Sequence, residues 1–464
     1  MPAMRRDTLL LAAALALAGV LAVHAQPLDY PLARPSTSWA NTDASLTHHV
    51  TFMDGSVARA ALLRLNPAGY GPSYAFGFFC TNHGTAAGAG PCNDFLLAVA
   101  VVYCNSGALM TSTVSGIPQV VWSANRARPV GEGATLHFTP PGDLVLQAAD
   151  GTLVWSAGTA GKSIAGISIN SDGNLVMVDA DNLAVWQSFD HPTDTLLVGQ
   201  SLRQGARLTA NTSAVNWAGS RLYLTVADDS LSAYVDATPP QRYYQLGFTK
   251  AAGAYATYAY GSLTVFAPPA APLTAVQLPA VAAGTVQYMR LEYDGHLRLY
   301  EWRPAGWAPV FDVLHLFPDD CAFPTVCGAY GVCTDMQCSC PDAANFRPVD
   351  FRRPNRGCVP AAPPASCAAT PRRAQRLVSL PGLAYFNDHA TSLRTLERVS
   401  EGACKKACLD ECRCVAAQFI YGADAGDGFC YLQSEVFSLE TSLPEVAHYN
   451  STMHLKVQAR RTSA

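Results

Sequence analysis

Lysine is nearly missing from this chain, with five in 464 residues, and charged side chains of all kinds make up 14%, well under the roughly one quarter of an average soluble domain. The net charge of −4 argues against a nucleic-acid binder or a polybasic membrane-surface protein. Beyond the first 25 residues no apolar run approaches the ~18 to 20 residues of a spanning helix. The run Phe95 to Tyr103 suits a buried strand instead. Cysteine is scarce through most of the chain: only Cys80, Cys92 and Cys104 precede residue 320. A phosphate-cradling glycine loop, a kinase lysine, a catalytic-loop signature, a metal cluster and a nucleophile elbow are all lacking. No catalytic residue, cofactor or metal is therefore expected, and the chain reads as a non-enzyme.

What is present is apolar and turn-rich, with 49% hydrophobic residues, 35 Gly and 31 Pro, the profile of a globular protein and not of a disordered tail or a coiled coil. Arg5 and Arg6 precede an apolar run from Leu9 to Val23, and Val23-His24-Ala25 offers small residues where a signal peptidase reads. Residues 1–25 are expected to be a cleaved signal peptide; a membrane anchor would need a longer stretch with a stop-transfer pattern. The remaining 439 residues correspond to about three domains. Asn211-Thr212-Ser213 and Asn450-Ser451-Thr452 are glycosylation acceptors that fit secretion.

The body repeats itself. Val-Val-Trp-Ser, Leu-Val-Trp-Ser and Ala-Val-Trp-Gln place Trp122, Trp155 and Trp186 at intervals of 33 and 31 residues, and Gly142-Asp-Leu-Val-Leu146 recurs as Gly173-Asn-Leu-Val-Met177. Each unit reads as a hairpin, with polar turns at Asp150-Gly151 and at Asp179 to Asn182. A small sheet cannot bury a Trp by itself, so three such sheets packing their Trp faces would close a prism; two stacked sheets are the alternative. A second all-β stretch follows, with strands expected at Arg221 to Val226, Tyr243 to Phe248 and Tyr255 to Tyr260. A hairpin is expected across Asp294-Gly295, from Tyr288–Tyr293 to His296–Trp302. The Ala/Pro-rich segment Pro268 to Pro279 reads as an exposed loop.

Twelve cysteines lie between 321 and 430, a density that marks a disulfide scaffold. Cys321, Cys327, Cys333, Cys338, Cys340 and Cys358 form a first group, for which spacing alone allows 15 connectivities; zinc is disfavoured because paired two-residue spacings are missing. In the second group Cys404 and Cys408 stand four apart on one helix face, and Cys412 and Cys414 are expected on one face of a following strand, Cys414 to Ile420. The total of 15 cysteines is odd. Cys80 and Cys92 bracket a Gly/Ala-rich loop that closes easily, which leaves Cys104 as the free thiol.

The Trp-anchored repeats, the segment Trp186-Gln-Ser-Phe-Asp-His-Pro-Thr-Asp-Thr195 and the cysteine-rich tail together resemble the S-domain of plant G-type lectin receptor-like kinases, S-locus glycoproteins and EP1-like glycoproteins, here without the kinase. The resemblance implies a mainly β chain: a bulb-type lectin β-prism domain over 26–200, a second lectin-like domain of the S-locus glycoprotein type over 201–317, an EGF-like module over 318–360, and a small α+β PAN/apple domain over 367–458. It also implies the bridges Cys321–Cys333, Cys327–Cys338, Cys340–Cys358, Cys367–Cys412, Cys404–Cys430 and Cys408–Cys414.

Bulb-type lectins bind mannose through Gln-x-Asp-x-Asn-x-Val-x-Tyr, whose alternation puts five side chains on one strand face. Here the best copy is Asn170, Asp172, Asn174, Val176 and Val178, which keeps three of the five. Thr139, Pro141, Asp143, Val145 and Gln147 keep fewer, and Glu292, Asp294, His296, Arg298 and Tyr300 straddle a turn. Each lost hydrogen-bonding side chain costs on the order of 1 kcal/mol, so strong mannose binding is not expected, and Asp172-Gly173-Asn174 is expected to shape a turn or bulge. The three tryptophans are expected in the core and His191-Pro192-Thr193-Asp194 in a structural loop. The function implied is that of a secreted lectin-like glycoprotein of the apoplast or cell wall acting by recognition. Its partners would be a weak glycan ligand, and a protein or a second copy bound through the PAN/apple module. The alternatives are the ectodomain of a plasma-membrane receptor kinase and a structural wall glycoprotein without a specific ligand.

Overall fold

The computed structural model describes residues 29–458 except 45, 47, 82–91, 112–115, 282–284, 304–305, 316–319, 363–374, 388–390, 423–425 and 442–450. The expected signal peptide, Cys367 and Asn450 lie outside the described residues. The chain is mainly β, and it divides into two compact units, one built from residues 1–80, 92–120 and 130–186, the other from residues 81–91, 121–129 and 187–464.

In the first unit, the strands Leu153–Ser156, Leu144–Gln147, Thr135–Phe138 and Thr37–Ala40 form one four-stranded sheet, and Leu32–Ala33, Ile164–Ile169, Leu175–Asp179 and Ala184–Gln187 form another. Period-2 alternation sends one face of each inward: Leu136, Phe138, Leu144, Leu146, Ile167, Ile169, Leu175 and Met177 are all fully buried. A third sheet is built on the long strands Val57–Arg64, Tyr70–Cys80 and Leu96–Asn105. Leu96–Asn105 contains the apolar run and is buried on both faces from Leu96 to Val102. Cys80 is bonded to Cys92, and Cys104 is a buried free thiol whose pKa burial pushes up to about 11, against a small opposing effect of the Ser73 hydroxyl. Trp186 is buried and meets Trp155 edge to face at 6.1 Å. Trp155 is only half-buried, which corrects its placement in the core.

The second unit begins with three more four-stranded sheets. Thr195–Leu197 joins Gln287–Leu291, Leu297–Arg303 and Gly306–Asp312; Ser201–Arg203 joins Tyr255–Ala259, Ser262–Ala267 and Ala271–Gln277; Arg207–Ser213 leads Asn216–Val226, Ser230–Val235 and Gln241–Gly247. Their inner faces meet in one apolar core that includes Leu196, Leu208, Leu224, Tyr258, Leu263 and Leu299. The expected Ala/Pro loop is in fact the edge strand Ala271–Gln277. Pro272 is tolerated there because it sits at an edge, beside a shift in register.

Among the described residues one turn recurs at six hairpins, the Phe52 to Ser56 turn with Gly55 at positive φ and five more. Thr139 bonds Asp143, Ala148 bonds Thr152, Asn170 bonds Asn174, Asp179 bonds Leu183 and Glu292 bonds His296, each N–H to C=O. In each case the fourth residue donates back to the first. That fourth residue is Gly55, Gly142, Gly151, Gly173, Asn182 or Gly295, all at positive φ, as a three-residue hairpin loop requires. The Asp294-Gly295 turn is thus one residue longer than the two-residue form expected.

In the tail, Val332–Thr334 and Gln337–Ser339 form a hairpin held by Cys321–Cys333 and Cys327–Cys338, and Cys340–Cys358 anchors a second hairpin, Phe346–Pro348 with Cys358–Pro360. The first hairpin continues into a mixed sheet with Leu439–Thr441 and Leu383–Ala384. A five-stranded antiparallel sheet, Gln375–Pro381, Ser451–Gln458, Ala416–Ile420, Gly428–Gln433 and Arg394–Val399, carries the helix Glu401–Asp410. Ser400 caps that helix, its hydroxyl accepting from the Ala403 N–H, and Glu401 suits its positive end. Cys404 and Cys408 are both buried on its inner side, bonded to Cys430 and Cys414. Cys412 and Cys414 do not share a strand face: they lie in the turn before Ala416–Ile420, with Cys412 exposed and Cys414 buried.

Candidate recognition site

Asp172-Gly173-Asn174 lie in a turn, as expected, so Asn170, Asp172, Asn174, Val176 and Val178 do not share the single strand face of the lectin motif. The strand starts only at Leu175, so the first three side chains belong to the loop. Asn170 Oδ1 accepts from the backbone N–H of Asp172 at 3.0 Å and of Asn174 at 2.9 Å, a local bond of the Asx kind. Asp172 is exposed at the tip, Asn174 is buried, and Val176 and Val178 are half-buried beside them.

At the earlier copy, Pro140 and Pro141 occupy the turn itself, and the carboxylate of Asp143 faces inward. It accepts from Ser156 Oγ at 2.6 Å, the Thr159 N–H at 3.0 Å and Thr159 Oγ1 at 3.1 Å. Burial would raise its pKa, but these bonds outweigh burial and hold it below the ordinary carboxylate range. The copy in the second unit is also internally bonded. Tyr300 donates to Glu292 at 2.8 Å, Arg298 lies 2.9 Å from Asp294, and His296 pairs with Asp312 at 2.5 Å while stacking on Phe323. A further copy, not recognised in the sequence, keeps two of the five residues: Val226, Asp228, Ser230, Ser232 and Tyr234. Here Ser232 bonds Ser230, and Asp228 pairs with Lys250 at 2.5 Å.

The loop after Trp186 ties the second unit together. Asp194, 2% exposed, accepts from Thr193 and Thr195 hydroxyls and from Asn211 Nδ2 at 3.1 Å, and its Oδ2 lies 3.5 Å from Arg290 Nε. Arg126 Nη2 donates to Asn211 Oδ1 at 2.6 Å, with further bonds to the carbonyls of Trp217 and Thr209. The indole of Trp122, a buried residue, donates to the His191 carbonyl at 2.9 Å. Asn211, expected as a glycan acceptor, has its amide nitrogen buried and bonded to Asp194.

One groove of about 720 Å³ has polar groups left over. Its lining includes Gln204, Arg207, Tyr223, Thr225, Asp228 and Tyr234. Tyr223 and Tyr234 are direct cross-strand partners with rings stacked at 5.3 Å, and the Arg207 guanidinium lies 3.9 Å from the Tyr223 ring centroid. Arg207 makes only a 3.8 Å ion pair, to Asp236. Among the described residues its N–H groups and both tyrosine hydroxyls make no hydrogen bond. Sequence reasoning missed this site because the three side chains come from three strands and meet only through register.

A profile of the D-mannose binding lectin family matches residues 119–218. The epidermis-specific secreted glycoprotein EP1 of Daucus carota is 30% identical over 270 residues, covering 48% of this chain and 68% of that protein. The chain belongs to the plant S-domain family of EP1-like, bulb-lectin glycoproteins. EP1-like glycoprotein 1 of Arabidopsis thaliana is 29% identical over 334 residues, covering 64% of this chain and 72% of that protein. A G-type lectin S-receptor-like serine/threonine-protein kinase of Arabidopsis thaliana is 28% identical over 375 residues, which cover 74% of this chain but 39% of the kinase. In this S-domain chain, no helix among the described residues is long and apolar enough to cross a membrane.

Proposed function

We propose that this S-domain protein is secreted and acts outside the cell by recognition, without catalysis, and that its lectin motifs have become structural. One observation carries the reading: the polar side chains at the motif positions are largely bonded within the protein, whereas Arg207, Tyr223 and Tyr234 present unspent donors in an open groove. A hydroxyl-rich ligand suits that groove, since the Tyr and Arg donors and the remaining acceptor capacity of the Lys250-paired Asp228 carboxylate offer both halves of the hydrogen bonds a sugar makes. The seven disulfide-forming cysteine pairs expected from the sequence suit an oxidising compartment. The tail is read as an EGF-like module followed by a PAN/apple domain, the latter a surface for a protein partner or a second copy.

The test is a glycan array with the secreted protein, its Arg207→Gln variant and its Asn174→Ala variant. Signal lost in Arg207→Gln and kept in Asn174→Ala supports the groove. A micromolar mannose affinity abolished by Asn174→Ala overturns it. The similarity to the receptor kinase over 74% of this chain favours a second reading, the ectodomain of such a receptor, which reading the transcript past Ala464 decides.

A further inference from the structure

The strand Phe346–Pro348 and the loop that leads from it to Cys358 concentrate positive charge. Arg347, Arg352, Arg353 and Arg356 fall within ten residues, all exposed, against the single acid Asp350, in a chain of net charge −4. Among the described residues none of the four guanidinium groups forms an ion pair or a side-chain hydrogen bond; that of Arg352 lies 5.5 Å from the ring centroid of Phe351. Asp350 does not neutralise them. Its carboxylate accepts from the Arg352 backbone N–H at 2.9 Å and so shapes the turn. Phe351 is 79% exposed and Val349 56%, an aromatic side chain with only Arg352 near its ring and an aliphatic one, both standing in water.

The loop is held in place. The Val349 N–H bonds the Gly357 carbonyl at 2.9 Å, the Arg353 N–H bonds Asp350, and the Cys358 N–H bonds Ala329 at 2.7 Å. Cys358 is tied to Cys340. Gly357 sits at φ +87, where an added Cβ would lie 2.6 Å from the Ala329 carbonyl oxygen, so only glycine allows this closure. The arginines are thus presented from a braced support, which lowers the ordering cost of binding.

We propose that this loop is a docking surface for a linear polyuronate, a polysaccharide bearing a carboxylate on successive sugars. Guanidinium groups bind carboxylates through paired, charge-assisted hydrogen bonds, and four along one short segment match a repeating anion better than a single charged ligand. The open face of Phe351 stacks on the C–H face of a sugar ring. The site lies apart from the Arg207 groove and does not depend on it.

The experiment measures binding of the full secreted chain to immobilised polygalacturonate at low and at physiological salt. Fully methyl-esterified polygalacturonate and vesicles of phosphatidylserine and phosphatidylcholine serve as the comparison surfaces. Binding to the acidic polymer that weakens with salt, falls by about tenfold or more in Arg352→Gln/Arg353→Gln, the loss expected for charge-assisted contacts, and falls in Phe351→Ala supports the proposal. Equal binding to the esterified polymer, binding to vesicles alone, no binding to the acidic polymer, or an unchanged Arg352→Gln/Arg353→Gln variant with an unchanged melting temperature each overturns it.

Discussion

Between Leu196 and Leu314 the second unit holds no cysteine and closes three sheets over aliphatic and tyrosine side chains; between Cys321 and Cys430 the same unit holds twelve cysteines, and the strands from Val332 to Pro360 are three residues long. Sheets of four strands can bury one face each and need no staple, whereas a hairpin of three-residue strands cannot bury enough to fold by itself. The two regions nevertheless share a core. Phe323, Val332, Phe346, Tyr385 and Leu439 from the tail pack in the same apolar cluster as Leu222 and Leu297 from the sheets. Tyr385 donates to Gln241 at 2.7 Å, and Arg221 makes two 2.6 Å bonds to Glu435. The change in cysteine density at residue 320 therefore marks a change in how the chain is held, not a gap in packing.

The largest effect that would sharpen this comparison is on the cysteine-poor side. Asp194→Ala leaves Arg290 buried without its carboxylate and Asn211 without its acceptor, and should cost about 3–5 kcal/mol, read as a fall in urea midpoint. Next comes the tail: Cys327→Ala/Cys338→Ala should cost about 2–4 kcal/mol. If the shared core couples the regions, both variants lower one common melting transition, and two separate transitions in calorimetry would break that view. Smaller again is Gly173→Ala, which forces a side chain into the left-handed turn at a cost of about 1 kcal/mol, with no effect on the tail bridges by peptide mapping.

The last effect is seen only as pH is changed. His454 is buried against Ser379, and burial, helped by Lys405 and opposed by Glu401, lowers its pKa to about 4. A histidine kept neutral in the fold binds its proton more readily when unfolded. Its contribution to stability is therefore full above the ordinary value near 6.5 and is lost as pH falls toward 4. His454→Gln should flatten the dependence of melting temperature on pH across that window; an unchanged slope would refute the assignment.

Much of the architecture was legible because repetition and alternation are local. The 31-residue spacing of Gly142 and Gly173 announced the hairpins, and Leu175 and Met177 announced the buried face. Ala271–Gln277 was not legible, since alanine and proline carry weak strand preference and only pairing with Ser262–Ala267 makes the segment a strand. The turn at Asp172-Gly173-Asn174 was expected, but the internal partners of the motif residues were hidden. Spacing places Asn170, Asp172 and Asn174 at alternate positions, but whether those positions fall on a strand or in a turn depends on where the hairpin closes, which one backbone bond decides.

By itself the sequence determined which residues face inward, where the chain turns and which part would be cross-linked, because these follow from side-chain period, glycine's backbone freedom and cysteine density. Tertiary structure alone decided that the side chains most like a lectin's are turned to internal bonds while Arg207, Tyr223 and Tyr234 meet in a groove. A hydrogen-bonding group can be spent once, and which partner takes it is fixed by strand register across residues far apart in the chain.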